Sequence, residues 1–192
     1  MFPVLVTPLN NKGELDLESL RSLLEYYLRA GSDGFLVLGE SSERDLLTDK
    51  EKDLILRTSF EVVNDRARIV VGASYDDAET TIKASKLAED LGADAVMIAP
   101  PKNPRMSEDE VFQFYSKVCN SIDIPIMIQD FPATGRPKMS PELIARINRE
   151  FSNTPYLKLE DPPTPAKIKA VKKLVGNNML IFSAYYGRYT FW

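Results

Sequence analysis

The chain has 192 residues, with 24 Lys or Arg against 28 Asp or Glu, so its formal net charge is −4. Hydrophobic residues make up 44% and charged residues 27%, the composition of a folded, soluble chain able to bury a real core. The absence of histidine excludes Ser-His-Asp and Cys-His chemistry and imidazole zinc sites, so no metal is expected. The acidity is spread without a Lys/Arg block, which argues against nucleic acid or a membrane surface as partner.

In chain order, Met1 leads straight into Phe2-Pro3-Val4 with neither a basic leader nor a long apolar segment, and a cytoplasmic location is expected. Short β-rich runs begin near Pro3, Gly34, Arg68, Asp94, Ile124, Pro155 and Met179, at intervals of 24 to 34 residues. Each interval holds one helix-sized segment and two loops, the size of a βα unit that feeds a parallel strand. The first such segment carries Leu20, Leu23, Leu24, Tyr27 and Leu28 at helical spacing and stops at Gly31. Thr48 with Glu51, and Ser107 with Glu110, are capping boxes that open helices. Asp76, Asp77 and Glu79 suit the positive end of a helix dipole. Cys119 adjoins an apolar-periodic stretch and reads as a buried structural thiol. Ser140-Pro141 and Thr164-Pro165 each set a cap residue before a first-turn proline.

Seven strands at one period predict an α/β fold, a (β/α)8 TIM barrel in one domain over residues 1–192, ending after strand seven with its closing part absent. The Asn10-Asn11-Lys12-Gly13 loop lacks the glycines of a dinucleotide site, so no cofactor of that kind is expected. In a barrel the chemistry lies where strands end. The run Tyr156-Leu157-Lys158-Leu159-Glu160 alternates, placing the leucines on one face and Lys158 on the other. A lysine amine held there, partly out of water, is a nucleophile for a carbonyl carbon. The alternative is an ordinary ion pair with Glu160 or Asp161.

These features resemble the dihydrodipicolinate synthase/N-acetylneuraminate lyase family over nearly the whole chain. Val6-Thr7-Pro8 with Asp16 resembles its first strand and loop, and Gly39-Glu40-Ser41-Ser42-Glu43 resembles its Gly-Thr-Thr-Gly-Glu motif. Lys158 is placed like its Schiff-base lysine. The resemblance implies a cofactor-free lyase of aldolase or dehydratase type, acting on pyruvate or another 2-oxo acid, and a homo-oligomer. By the same resemblance Ser41 and Ser42 would hold the substrate carboxylate, or else bond only their own turn. Two positions depart from the pattern. Glu40 stands where the family has a threonine, and Gln129-Asp130-Phe131-Pro132 replaces the stretch that carries the catalytic tyrosine. A second family tyrosine falls at Lys102-Asn103. Gln129 cannot shuttle a proton, so Glu40 or Asp130 would have to take that part. Arg136 either meets a second carboxylate or stands as a solvated surface arginine. Ser183 and the following Tyr185 to Arg188 stretch could bind phosphate after strand seven. A family member that keeps the fold without the reaction, as pseudoenzyme or binding module, is the competing reading.

Overall fold

A computed structural model of the chain describes residues 1–183. The elements run α1 (Leu17–Arg29), β1 (Gly34–Val37), two 3₁₀ turns (Glu40–Ser42 and Arg44–Leu46), α2 (Asp49–Val63), β2 (Arg68–Gly72), α3 (Ala78–Asp90), β3 (Ala95–Ile98), α4 (Glu108–Cys119), β4 (Ile126–Asp130), a 3₁₀ turn (Pro132–Thr134), α5 (Pro141–Glu150), β5 (Tyr156–Leu159), α6 (Thr164–Val175) and β6 (Leu180–Ser183). Strands and helices alternate as the sequence spacing requires. No helix among the described residues is long and apolar enough to cross a membrane.

By its contacts the chain divides into two compact units, Met1–Gly72 with Leu87–Ala95, and Ala73–Lys86 with the chain from Val96 onward. In the first unit β1 pairs with β2 in parallel, Phe35 opposite Ile69 and Val37 opposite Val71. Every residue of β1 is buried, as expected of a strand covered on both faces. Leu20 and Leu24 of α1 are buried too, and α1 closes on Gly31 at φ 81°, with Ser32 N–H donating to Tyr27 O and Gly31 N–H to Leu28 O. That is the paired bonding of a glycine-terminated helix. The run from Pro3, expected to be the first strand, is instead a single parallel bridge of Val4 to Leu36, held by Leu5 N–H to Leu36 O and Leu36 N–H to Pro3 O. Prolines at positions 3 and 8 remove backbone donors at both ends of this short run, which leaves little ladder to form.

In the second unit β3, β4, β5 and β6 pair in parallel in that order. Both expected capping boxes form, around Thr48 in the first unit and Ser107 in the second. Ser140 accepts from Leu143 N–H with Pro141 in the first turn. α6 departs from expectation: Pro163 occupies the cap position, so Thr164 is already helical and its hydroxyl donates to Asp161 O. Asp77 Oδ1 accepts Thr80 N–H at 2.7 Å, which caps α3. Cys119 is buried, and burial pushes its thiol up to about 12, so it is inert packing.

One strained position shapes the end of β1. Leu38 is buried at φ 57°, a left-handed conformation that costs a branched residue about 1 kcal/mol or more. Its carbonyl lies where a side chain on Gly72 would stand, since a Cβ there would meet Leu38 O at 2.1 Å. The turn that carries Glu40, Ser41 and Ser42 therefore depends on a glycine across the β1–β2 pair. Gly72→Ala is expected to lower the unfolding free energy by about 2 kcal/mol or more, read by urea denaturation; a variant with wild-type stability would contradict this.

Candidate active site

The β4–β5 register sets the site. Gln129 stands opposite Lys158, and Lys158 opposite Phe182 on β6, so these side chains share one face. Leu157 and Leu159 take the other face and are fully buried, as the alternation predicts. The ladder extends one residue past β5 through Glu160 N–H to Asp130 O at 2.9 Å. This returns Glu160 to the face of Lys158. Its Oε2 lies 3.0 Å from Lys158 Nζ and accepts from Gln129 Nε2 at 2.8 Å. Lys158 is 13% exposed at its side chain and Glu160 9%. Gln129 is buried as well, and its Oε1 has no hydrogen-bond partner among the described residues.

A second cluster occupies the opposite face. Asp130, one residue after Gln129, is fully buried and meets Lys167 from the first turn of α6, Nζ to Oδ2 at 2.6 Å. The same ammonium donates to Asp161 Oδ2 at 2.9 Å. Lys138 reaches Asp161 at 3.8 Å from an exposed position and adds little. Burial pushes the Asp130 carboxyl up to about 6, the Lys167 charge pulls against this, and the Asp161 and Glu160 charges reinforce it. The sequence reading missed Lys167, although a lysine in a helix's first turn, against the dipole, signals a local carboxylate partner.

The other sequence-predicted residues fall as follows. Glu40, Ser41 and Ser42 form the 3₁₀ turn after β1, in the first unit. Ser42 is buried, its hydroxyl donates to Leu5 O at 2.6 Å, and its carbonyl accepts from Thr7 Oγ1 at 2.7 Å. Ser41 is exposed. Arg136 corrects the expectation of a solvated arginine: it is 2% exposed and donates to the Pro100 carbonyl. A backbone acceptor inside the fold replaces the water that a surface arginine would keep. Tyr115 is a buried phenol, but its hydroxyl donates to Ile98 O at 2.8 Å and desolvation pushes its pKa far up. Lys102 N–H donates to Asp76 Oδ1 at 2.8 Å. Tyr185 to Arg188, considered for phosphate, lie outside the described residues. Among the described residues no group of His, Cys, Asp and Glu is set to hold a metal ion.

The fold matches solved structures closely. A Pseudomonas aeruginosa protein assigned to the dihydrodipicolinate synthetases superposes with a TM-score of 0.90 at 30% identity, over 95% of this chain and 63% of that one. Dihydrodipicolinate synthase from Thermotoga maritima gives 0.88 at 29% identity, over 95% and 62%. The chain is thus an α/β protein of the TIM-barrel class. It belongs to the dihydrodipicolinate synthetase family, whose sequence pattern it matches over residues 1–188. Among curated relatives, the L-2-keto-3-deoxyarabonate dehydratase of Azospirillum brasilense is 37% identical over 180 residues, covering 92% of this chain and 58% of that protein. The 4-hydroxy-tetrahydrodipicolinate synthase of Bacillus subtilis is 26% identical over 183 residues, covering 95% and 62%. The chain spans about three fifths of the length of the relatives it matches.

The Asp130 environment predicts a pH signature. The folded chain holds this proton between about pH 4 and pH 6, where an unfolded chain has released it, so the group's contribution to stability is greatest below pH 4 and falls as pH rises through 6. Asp130→Asn should flatten the decline by about 1 to 3 kcal/mol across that window, measured by denaturant titration at several pH values. An unchanged slope would contradict the assignment.

Proposed function

We propose that this chain carries the amine site of a cofactor-free lyase in which Lys158 forms a Schiff base with a 2-oxo acid, and that the reaction is dehydration of a 3-deoxy-2-keto sugar acid. The observation that carries the reading is the Lys158 amine itself. It sits on a strand, largely buried, with a carboxylate at 3.0 Å and a carboxamide in register beside it. The amine adds to the keto carbon, water leaves, and the resulting iminium draws electrons from the adjacent carbon. The C3 proton then becomes acidic, and a hydroxyl at C4 can leave without a metal.

Two points favour dehydration over the synthase reaction. The dehydratase of Azospirillum brasilense is 37% identical to this chain, against 32% for the Thermotoga neapolitana synthase and 26% for that of Bacillus subtilis. Gln129 and the Lys102-Asn103 pair stand where the family resemblance puts phenols, so a tyrosine relay is not available from those positions. Self-association, which the resemblance implies, is proposed with this reading; sedimentation equilibrium that finds only monomer would contradict that part.

The test is borohydride reduction in the presence of pyruvate or a 3-deoxy-2-keto acid, followed by intact mass and peptide mapping. A reduced adduct confined to Lys158, and lost in Lys158→Ala, is the expected result. A chain shown to be folded by circular dichroism that yields no adduct with either acid would contradict the mechanism and favour a family member without the reaction.

A further inference from the structure

We infer that Glu160 is the carboxylate that moves protons at the Lys158 amine, and that Gln129 positions it. This rests on the Schiff-base reading above and assigns the acid–base group which that reading leaves open. A single oxygen of Glu160 makes both contacts, 3.0 Å to Lys158 Nζ and 2.8 Å to Gln129 Nε2. The carboxylate therefore touches the reacting nitrogen and is fixed there by an amide that cannot itself titrate. The neighbouring carboxylates are engaged elsewhere, since Asp130 and Asp161 both face Lys167 on the opposite side of the strands. Gln129 Oε1, buried and without a partner among the described residues, is an acceptor on the reacting face, open to a hydroxyl that arrives with substrate.

Burying an ion pair is a poor way to gain stability, because desolvation of both ions offsets their attraction. Lys158 and Glu160 lose most of their water on a face where Phe182 and Tyr156 stack edge-on at 6.3 Å. Proton transfer gives the pair a role that stability does not.

Glu160 takes a proton from the lysine ammonium, and the free amine attacks the keto carbon, forming C–N as the carbonyl π pair moves to oxygen. Glu160 passes its proton to that oxygen and removes one from nitrogen, which leaves a neutral carbinolamine. The carboxyl proton then leaves with the hydroxyl as water while the nitrogen lone pair forms C=N. A protonated imine and an ionised Glu160 remain, with no oxidant or other co-reactant.

The experiment follows imine formation by the 192-residue chain with pyruvate, quenched with borohydride at timed intervals and read by intact mass from acid to alkaline pH. Glu160→Gln should slow imine formation by about 100-fold or more and alter the acid-side fall of the rate, which then reflects the amine alone, while adduct still accumulates on Lys158 at long times. Glu160→Asp should retain the acid-side fall at an intermediate rate, and Gln129→Leu should retain it with a displaced midpoint. A Glu160→Gln chain with the wild-type rate and pH profile would overturn the assignment, as would unchanged profiles in both other variants should Glu160→Gln not fold. A wild-type chain that forms no adduct would overturn the Schiff-base reading, and this assignment with it; a wild-type adduct with an indifferent Glu160 would overturn this assignment alone.

Discussion

The parallel register between β4 and β5 is the constraint from which the site follows. It fixes Gln129 beside Lys158, and the two-residue period of a strand then sorts the neighbouring ionisable groups onto two faces. Lys158, Glu160 and Gln129 fall on one, and Asp130 and Asp161 face α6 on the other, where Lys167 compensates their charge. A slip of one residue would exchange the two sets and bury Lys158 among the leucines. The ladder bond from Glu160 N–H to Asp130 O resists such a slip at the point where the chain leaves the sheet.

This sorting gives each carboxylate near the strand ends a distinct environment. Glu160 touches the amine that the proposed chemistry uses, whereas Asp130 is a buried structural acid whose charge depends on α6. Asp130 is one of the two carboxylates that could take the missing tyrosine's part, and its side chain meets Lys167. The other, Glu40, lies on the turn after β1, a turn made possible by the left-handed Leu38 and by the absence of a side chain at Gly72. On that turn Ser42 spends its only hydroxyl proton on Leu5 O, which makes it a structural latch, while Ser41 stays exposed.

Much of the fold was readable because the signals are local. Capping boxes at Thr48 and Ser107, the stop at Gly31 and the alternation around Lys158 each involve residues within one helical turn or one strand. What could not be read depends on partners distant in sequence. The Pro3 run forms one bridge because a ladder needs donors that its prolines lack. Arg136 is buried because the Pro100 carbonyl, 36 residues away, accepts from it. Lys167 and Asp130 are likewise 37 positions apart, and only the packing of α6 brings them together. Lys158 was legible as a candidate nucleophile; the division of labour around it was not, because both Glu160 and Asp161 are sequence neighbours and only the strand geometry separates them.

The central claim is that Lys158 forms an imine with a 2-oxo acid, which makes the carbon next to the imine acidic. The most direct measurement is deuterium exchange into the methyl group of pyruvate in heavy water, followed by proton NMR in the presence of the chain. The account predicts exchange well above the uncatalysed rate, lost in Lys158→Ala. Exchange at the background rate from the folded wild-type chain would contradict it.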